Sequence, residues 1–328
     1  MTRLRPVPAP FRAPAALAAA AALLTFAAGC GGGAGSSAGG GGAEPDTLAS
    51  AARDHAIRSL TEFDTGKVTT LPDGRTLREY WVSAIEKTVE VAPGVRFPAW
   101  TFNGAIPGPS LRCTEGDSLR IYFKNEGSMS HSMHFHGIHA ANMDGVFEQV
   151  PAGSDFVYAF NAEPFGLHLY HCHTMPVKMH IARGLYGVFL IDPKTPRPPA
   201  REMVMMMNGF DTDLNGEDNE IYTVNGYANV YFRDHPIPVK AGELQRVYLV
   251  NITEIDLLNS MHTHATFFHV YPTGTSRTPS HYTDVINLGQ AERAILEFRY
   301  DLPGRYLFHA HQNEFAELGW LGQFEVAR

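Results

Sequence analysis

Cysteine is scarce in this chain: Cys30, Cys113 and Cys172 are the three in 328 residues, too few for a disulfide framework. Charge of one sign is also missing in quantity. The net charge is −8 with histidine neutral, and no basic stripe marks a nucleic-acid-binding face, so nucleic acid is not expected as a partner. No long segment shows sustained helical periodicity. The apolar run over residues 15–28 is short for a membrane span.

That run follows Arg3, Arg5 and Arg12 and ends in small residues at Gly29-Cys30, the layout of a secretory signal. Ala27-Ala28-Gly29-Cys30 resembles a bacterial lipoprotein cleavage box in which the cysteine becomes the lipidated first residue, although Ala27 departs from the usual leucine-type position. A Gly/Ser tether over residues 31–42 suits such an anchor. The expected organisation is a signal over 1–29, a lipoprotein tether or linker over 30–66, a first domain over 67–193 and a second over 194–328. The protein is then exported to the bacterial cell envelope, with Cys30 as a possible lipid anchor.

From Thr69 onward, short β-rich runs alternate with Gly, Pro, Asn and Asp; examples are residues 78–91, 118–124, 155–160 and 187–191. A proline-rich stretch at 193–199 interrupts them, and strands resume at 202–207 and 244–251. The pattern predicts an all-β protein of Greek-key sandwiches.

What the chain has in excess is paired histidine. Four His-X-His pairs stand at His134/His136, His171/His173, His262/His264 and His309/His311, where chance gives roughly 0.8 for 16 histidines. Residues i and i+2 of a strand point to one face, so each pair presents two imidazoles side by side, as a metal requires. The pairs recur in a repeat. Ser132-Met133-His134-Phe135-His136 corresponds to Ser260-Met261-His262-Thr263-His264, and Phe165–His173 reappears as the run ending His309-Ala310-His311. First and second pairs are 37 residues apart in one half and 47 in the other, which fits one fold used twice.

Cys172 lies inside the second pair, His131 stands three residues before the first pair, and His180 follows eight after the cysteine. Two imidazoles and a thiolate form the trigonal set of a blue copper site. The spacing His-X-X-His-X-His, then His-Cys-His with a later His, resembles the multicopper oxidases, and among them the two-domain, laccase-like class, over nearly all of the chain after Thr69. The resemblance implies two cupredoxin-like domains and four coppers per chain. It makes His131, Cys172 and His180 the type 1 ligands, His134 and His262 the type 2 ligands, and His136, His171, His173, His264, His309 and His311 the type 3 ligands. It further implies O2 and a reducing small-molecule substrate as partners, and a homotrimer with its trinuclear centres at subunit interfaces.

The two halves depart from each other at the cysteine. Ala310 replaces Cys172, Asn259 stands in the place of His131, and residues 315–320 offer no histidine in the place of His180, so the second half should hold no type 1 copper. Leu185 falls at the axial position, where many blue sites have methionine; Met175 and Met179 are nearby alternatives. Asp144, in a Met-Asp-Gly-Val stretch, resembles the family carboxylate that assists proton delivery, beside its simpler reading as a turn residue; Glu314 is a weaker second candidate. Met203, Met205, Met206 and Met207 read as core, while Met129, Met133, Met143, Met175 and Met179 leave a methionine-lined entrance for Cu(I) open. His139, His168, His235, His269 and His281 carry no expected ligand role.

Copper nitrite reductase is the competing enzyme. That family typically has an aspartate where His134 stands and lacks the second histidine of His-Cys-His. A simple electron carrier would need only His131, Cys172 and His180 and leave eight imidazoles unexplained.

Overall fold

The computed structural model describes residues 47–328, so the export signal, Cys30 and the Gly/Ser tether lie outside the described residues. No described helix is long and apolar enough to cross a membrane. Four sheets account for the strands, two before the proline-rich stretch and two after it.

In the first half, the long strand Thr76–Ala92 pairs with Lys67–Thr70, Val95–Phe102 and, in parallel, Ser118–Asn125, which Asp155–Asn161 flanks. Facing it, Leu111–Thr114, Tyr186–Asp192, Gly166–His171 and His134–Phe135 make the second layer. In Ser118–Asn125 the buried positions alternate, Leu119, Ile121 and Phe123 pointing inward, as a strand with one face on the core and one toward solvent requires. The second half repeats the plan. A six-stranded sheet carries Arg201–Phe210 and Gln245–Asn251, and a five-stranded one carries Leu258–Thr263, Gly304–His309 and Leu321–Ala327. The molecule is thus all-β, with two cupredoxin-like sandwiches.

Three apolar clusters hold it together. One fills the first sandwich around Phe123, Tyr158, Tyr170 and Phe189, and another fills the second around Leu249, Leu296 and Trp320. The third joins the halves, with Leu167, Leu169 and Val188 against Val204, Met206, Val250 and Ile295. Strand Arg201–Phe210 explains the methionine run by its period of two: Met203, Met205 and Met207 enter the second core, while Met206 turns to the first half. Both faces being covered, these methionines are packing residues. Polar contacts cross the same boundary: Arg112 grips Asp192 at 2.7 and 3.0 Å and Glu202 at 2.7 Å, and Glu202 also accepts from Arg246 at 3.2 Å.

Residues 47–66 correct the expectation of a linker there. Thr47–Ser59 is a helix that sinks Ala56, followed by Leu60, into the second-half core. Leu60 O accepts from Val204 N at 2.8 Å, and Asp64 N donates to Ser110 O at 2.8 Å, so this segment ties to both halves. Burial of a leucine side chain stabilises by about 1.5–3 kcal/mol, which outweighs the weak amphipathic signal that hid the helix in the sequence.

Candidate metal centres

Three side chains from separate elements meet beneath the first sandwich. His131 forms an isolated bridge with Val150, Cys172 follows strand Gly166–His171, and His180 sits on the short helix Val177–Ala182. His131 Nδ1 lies 3.1 Å from His180 Nδ1, and Cys172 Sγ lies 3.3 Å from His180 Nδ1 and 3.9 Å from His131 Nδ1. All three are buried. Desolvation lowers both imidazoles to about 4, helped at His131 by the neighbouring His180, so they are neutral with lone pairs free. Burial pushes the Cys172 thiol up, and an ion entering must displace that proton.

The surroundings hold this triangle rigid. Cys172 N donates to Leu185 O at 3.0 Å, Ser132 N points at Cys172 Sγ at 3.4 Å, and Leu185 is fully buried in the same cluster as Cys172. Met175, by contrast, is 79% exposed, and Met179 lines a surface cavity with Phe97 and Ile255; the neighbour of the triangle is Leu185. Trp100 is a contact the sequence did not signal. Its indole packs edge-on against His180 at 4.8 Å and His131 at 5.6 Å, between ring centroids, with the Arg183 guanidinium 5.6 Å above it.

Above the triangle, the ladder between His134–Phe135 and Gly166–His171 sets His134 directly opposite His171. The His134 ring is 5.1, 5.1 and 5.2 Å from those of His136, His171 and His173. His171 Nδ1 donates to Cys172 O at 2.9 Å, which fixes the tautomer and leaves Nε2 as a lone pair. That Nε2 faces His136 Nε2 at 3.2 Å. Burial lowers His136 to about 3 and His171 to about 4, and His173 Nδ1 is buried with no hydrogen-bond partner. Neutral imidazoles converging on one point, one of them short of a partner, fit a cation-binding site.

The second half repeats this geometry closely. His262 pairs with His309 across its ladder, and its ring is 5.0, 5.4 and 5.3 Å from His264, His309 and His311. His309 Nδ1 donates to Ala310 O at 2.7 Å, and His264 Nε2 faces His309 Nε2 at 3.1 Å. Ser132 and Ser260 accept from the backbone N of His173 and His311. Below the ladder the resemblance ends: Ala310, Phe315 and Trp320 fill the space with apolar atoms. Ala310 N donates to Trp320 O and Trp320 N to Phe315 O, the bonds that Cys172, Leu185 and His180 make in the first half.

Asp144 stands against the first set. His134 Nδ1 is 2.9 Å from its carbonyl and 3.1 Å from its carboxylate. Gly145 makes this approach possible: at φ +73° its added Cβ would meet Met133 O at 2.0 Å, and no other residue suits both limits. His139, for which the sequence offered no role, lies 3.7 Å from the same carboxylate and 2.9 Å from Phe135 O. Asp284 is the counterpart the sequence did not reveal, its carbonyl 2.8 Å and its carboxylate 3.9 Å from His262 Nδ1. It lies 22 residues after His262 where Asp144 lies 10 after His134, so the repeat offered no register for it. Glu314 is exposed on the helix Asn313–Glu317.

Among the described residues, the ligand atoms close into groups only within each half: His131, Cys172, His180; His134, His136, His171; and His262, His264, His309. No ring of the first set touches a ring of the second. The second set opens into a cavity of about 820 Å³ lined by second-half residues alone, including His262, His264, Asp284 and Arg305.

Comparison with known proteins agrees with this picture. Residues 84–196 and 196–328 each match a family model described as multicopper oxidase. A solved multicopper oxidase structure is 53% identical, covering 83% of this chain and 96% of its own with a TM-score of 0.81. A copper nitrite reductase from Nitrosomonas europaea is 28% identical over 77% of this chain and 94% of its own, with a TM-score of 0.72. The copper-containing nitrite reductase of Neisseria meningitidis serogroup A is 31% identical over 265 residues, 75% of this chain and 68% of that protein. A copper resistance protein A homolog from Pseudomonas syringae pv. tomato is 37% identical over 154 residues, 45% of this chain and a quarter of its own length. The chain belongs to the multicopper oxidase family.

Proposed function

We propose that the protein is a laccase-like oxidase that draws single electrons from a reducing substrate, such as a phenol or aromatic amine, and delivers four of them to O2, forming two waters. His131, Cys172 and His180 would hold the type 1 copper, with Leu185 packed in the same buried cluster as Cys172. His134 and His262 would hold type 2 copper, and His136, His171, His173, His264, His309 and His311 the type 3 pair, four coppers per chain. When bound, copper supplies the one-electron redox chemistry.

The protein's own residues do the rest. Cys172 is covalently flanked by His171 and His173, so an electron arriving at its sulfur has a through-bond route to the second site. The carbonyls of Asp144, Cys172, Asp284 and Ala310 fix the tautomers of His134, His171, His262 and His309. The Asp144 carboxylate, at hydrogen-bond distance from His134 and close to His139, is placed to pass protons inward. Water must reach this carboxylate, and its partial exposure permits that.

The observation that carries this reading is the pair of matching four-histidine sets, one on each half, which do not meet within the chain. Each supplies half of a trinuclear centre. A head-to-tail ring brings the first set of one copy onto the second set of the next, and a closed heterologous ring of three satisfies every site. A nitrite-reducing site of the kind described above would have an aspartate at the place of His134 and would leave His173 without work. Export and a lipid anchor at Cys30 suit an enzyme meeting extracytoplasmic donors.

Two measurements test the reading. Copper-loaded protein should consume O2 with a phenol or Cu(I) and turn over nitrite far more slowly; nitrite turnover without O2 uptake would overturn the oxidase assignment. Mixing His134→Ala/His136→Ala with His309→Ala/His311→Ala chains should restore part of the activity, since some interfaces then join two intact sets. No rescue despite demonstrated exchange of chains would place the whole centre within one copy.

A further inference from the structure

The first-half histidine face carries apolar side chains that its own copy does not cover. Phe147 is 85% exposed and Ile138 61%; Ile138 follows His136 by two residues, and Phe147 follows by three the Asp144 that contacts His134. Phe147 is not on a loose loop. Asp144 O is bonded to His134 Nδ1 at 2.9 Å, Gly145 N donates to Glu148 Oε2 at 3.1 Å, and Gln149 is tied to Val146 O at 2.7 Å and to Thr174 Oγ1 at 2.6 Å. The ring is therefore presented outward by a braced turn.

The second-half face offers the complementary shape. Beside the histidine cavity, and sharing Phe267 and Tyr306 with it, is a cavity of about 510 Å³ whose walls include Tyr282, Tyr300 and Leu302. Phe267 and Tyr282 lie tilted against each other at 5.4 Å, 49% and 61% exposed, and Tyr300 and Tyr306 stack at 4.5 Å.

We propose that Phe147 of one copy seats in the Phe267/Tyr282/Tyr306 cavity of the next and acts as the apolar latch of the subunit interface. This rests on the reading that neighbouring copies share the copper centre, because that reading brings the face bearing Phe147 against the face bearing His264. An aromatic anchor filling a pocket is the usual bearer of interface affinity. The latch places it next to the metal ligands, so assembly and closure of the centre are coupled.

Sedimentation of the copper-loaded full chain across a concentration series provides the test. Wild type should be trimeric, Phe147→Ser should dissociate at least tenfold more readily, and Phe147→Leu should recover most of the affinity. The thiolate-to-copper absorption, whose ligands lie within one copy, should persist in all three and report that the fold is intact. The double variant Phe147→Cys/Tyr282→Cys should form a disulfide between copies on oxidation. A Phe147→Ser protein that dissociates at the wild-type concentration, with no cross-link in the double variant, would overturn the latch while leaving the shared centre standing. A monomeric wild type with a complete set of coupled coppers would overturn the shared centre itself.

Discussion

The two halves carry the same histidine ladder and the same serine and carbonyl supports, yet one encloses a Cys-His-His triangle and the other a hydrophobic plug. Asn259, Ala310, Phe315 and Trp320 occupy the places of His131, Cys172, His180 and Leu185. The backbone bonds at Ala310, Phe315 and Trp320 are equivalent to those at Cys172, His180 and Leu185. A cupredoxin sandwich thus closes equally well around donors or around aromatic rings, and the metal-binding difference is local to a few side chains. What both halves retain is the upper histidine set.

The largest test of that contrast is at the cysteine. Cys172→Ser should abolish the thiolate-to-copper absorption and reduce substrate oxidation to background while copper analysis still finds most of the metal at the histidine sets. Ala310→Cys should give no second absorption, since Asn259 and Phe315 cannot ligate in the manner of His131 and His180. A coloured Cys172→Ser protein would refute the assignment.

Next come the carboxylates. Asp144→Asn should slow reoxidation by O2 by about 10- to 100-fold, the scale for losing a group behind a metal ligand, and shift its pH profile while reduction by substrate stays fast. Asp284→Asn should do less, its carboxylate being 3.9 Å rather than 3.1 Å from the imidazole. Stopped-flow reoxidation across pH separates the two, and equal effects would erase the asymmetry.

Acid should also distinguish the halves in copper-free protein. Burial lowers His131, His168, His171 and His180 to about 4 and His136 to about 3, all in the first half; in the second, burial lowers His264. A histidine whose folded value is depressed stabilises the fold above the unfolded value near 6.5 and loses that contribution as pH falls toward the folded value. Between pH about 6.5 and 4, hydrogen exchange in Gly166–His171 should therefore accelerate more than in Gly304–His309. Uniform acceleration would show that the burial difference has no energetic weight.

The smallest expected effect is at Leu185. Leu185→Met should lower the reduction potential by adding a weak sulfur ligand, with little change in stability because the swap nearly conserves volume. An unchanged potential and spectrum in redox titration would separate Leu185 from the metal.

Periodicity and spacing were enough for the strands and for the histidines. The runs anticipated at 118–124 and 187–191 became Ser118–Asn125 and Tyr186–Asp192, because strand alternation is a local property that short-range pattern records. The pairs His134/His136 and His262/His264 are likewise legible since i and i+2 share a face whatever the tertiary setting. The sequence by itself therefore determined the two-sandwich repeat, the donor inventory and the loss of Cys, His and His from the second half. Tertiary structure alone decided the remainder. The helix Thr47–Ser59 is held by burial of Ala56 and Leu60 against distant strands, and Trp100 meets His131 and His180 only after the sheets pack. Asp284 reaches His262 through a neighbouring strand, and the separation of the two histidine sets arises from the way the halves are joined. Each depends on contacts between residues far apart in the chain, whose energies come from packing and leave no period or spacing to read.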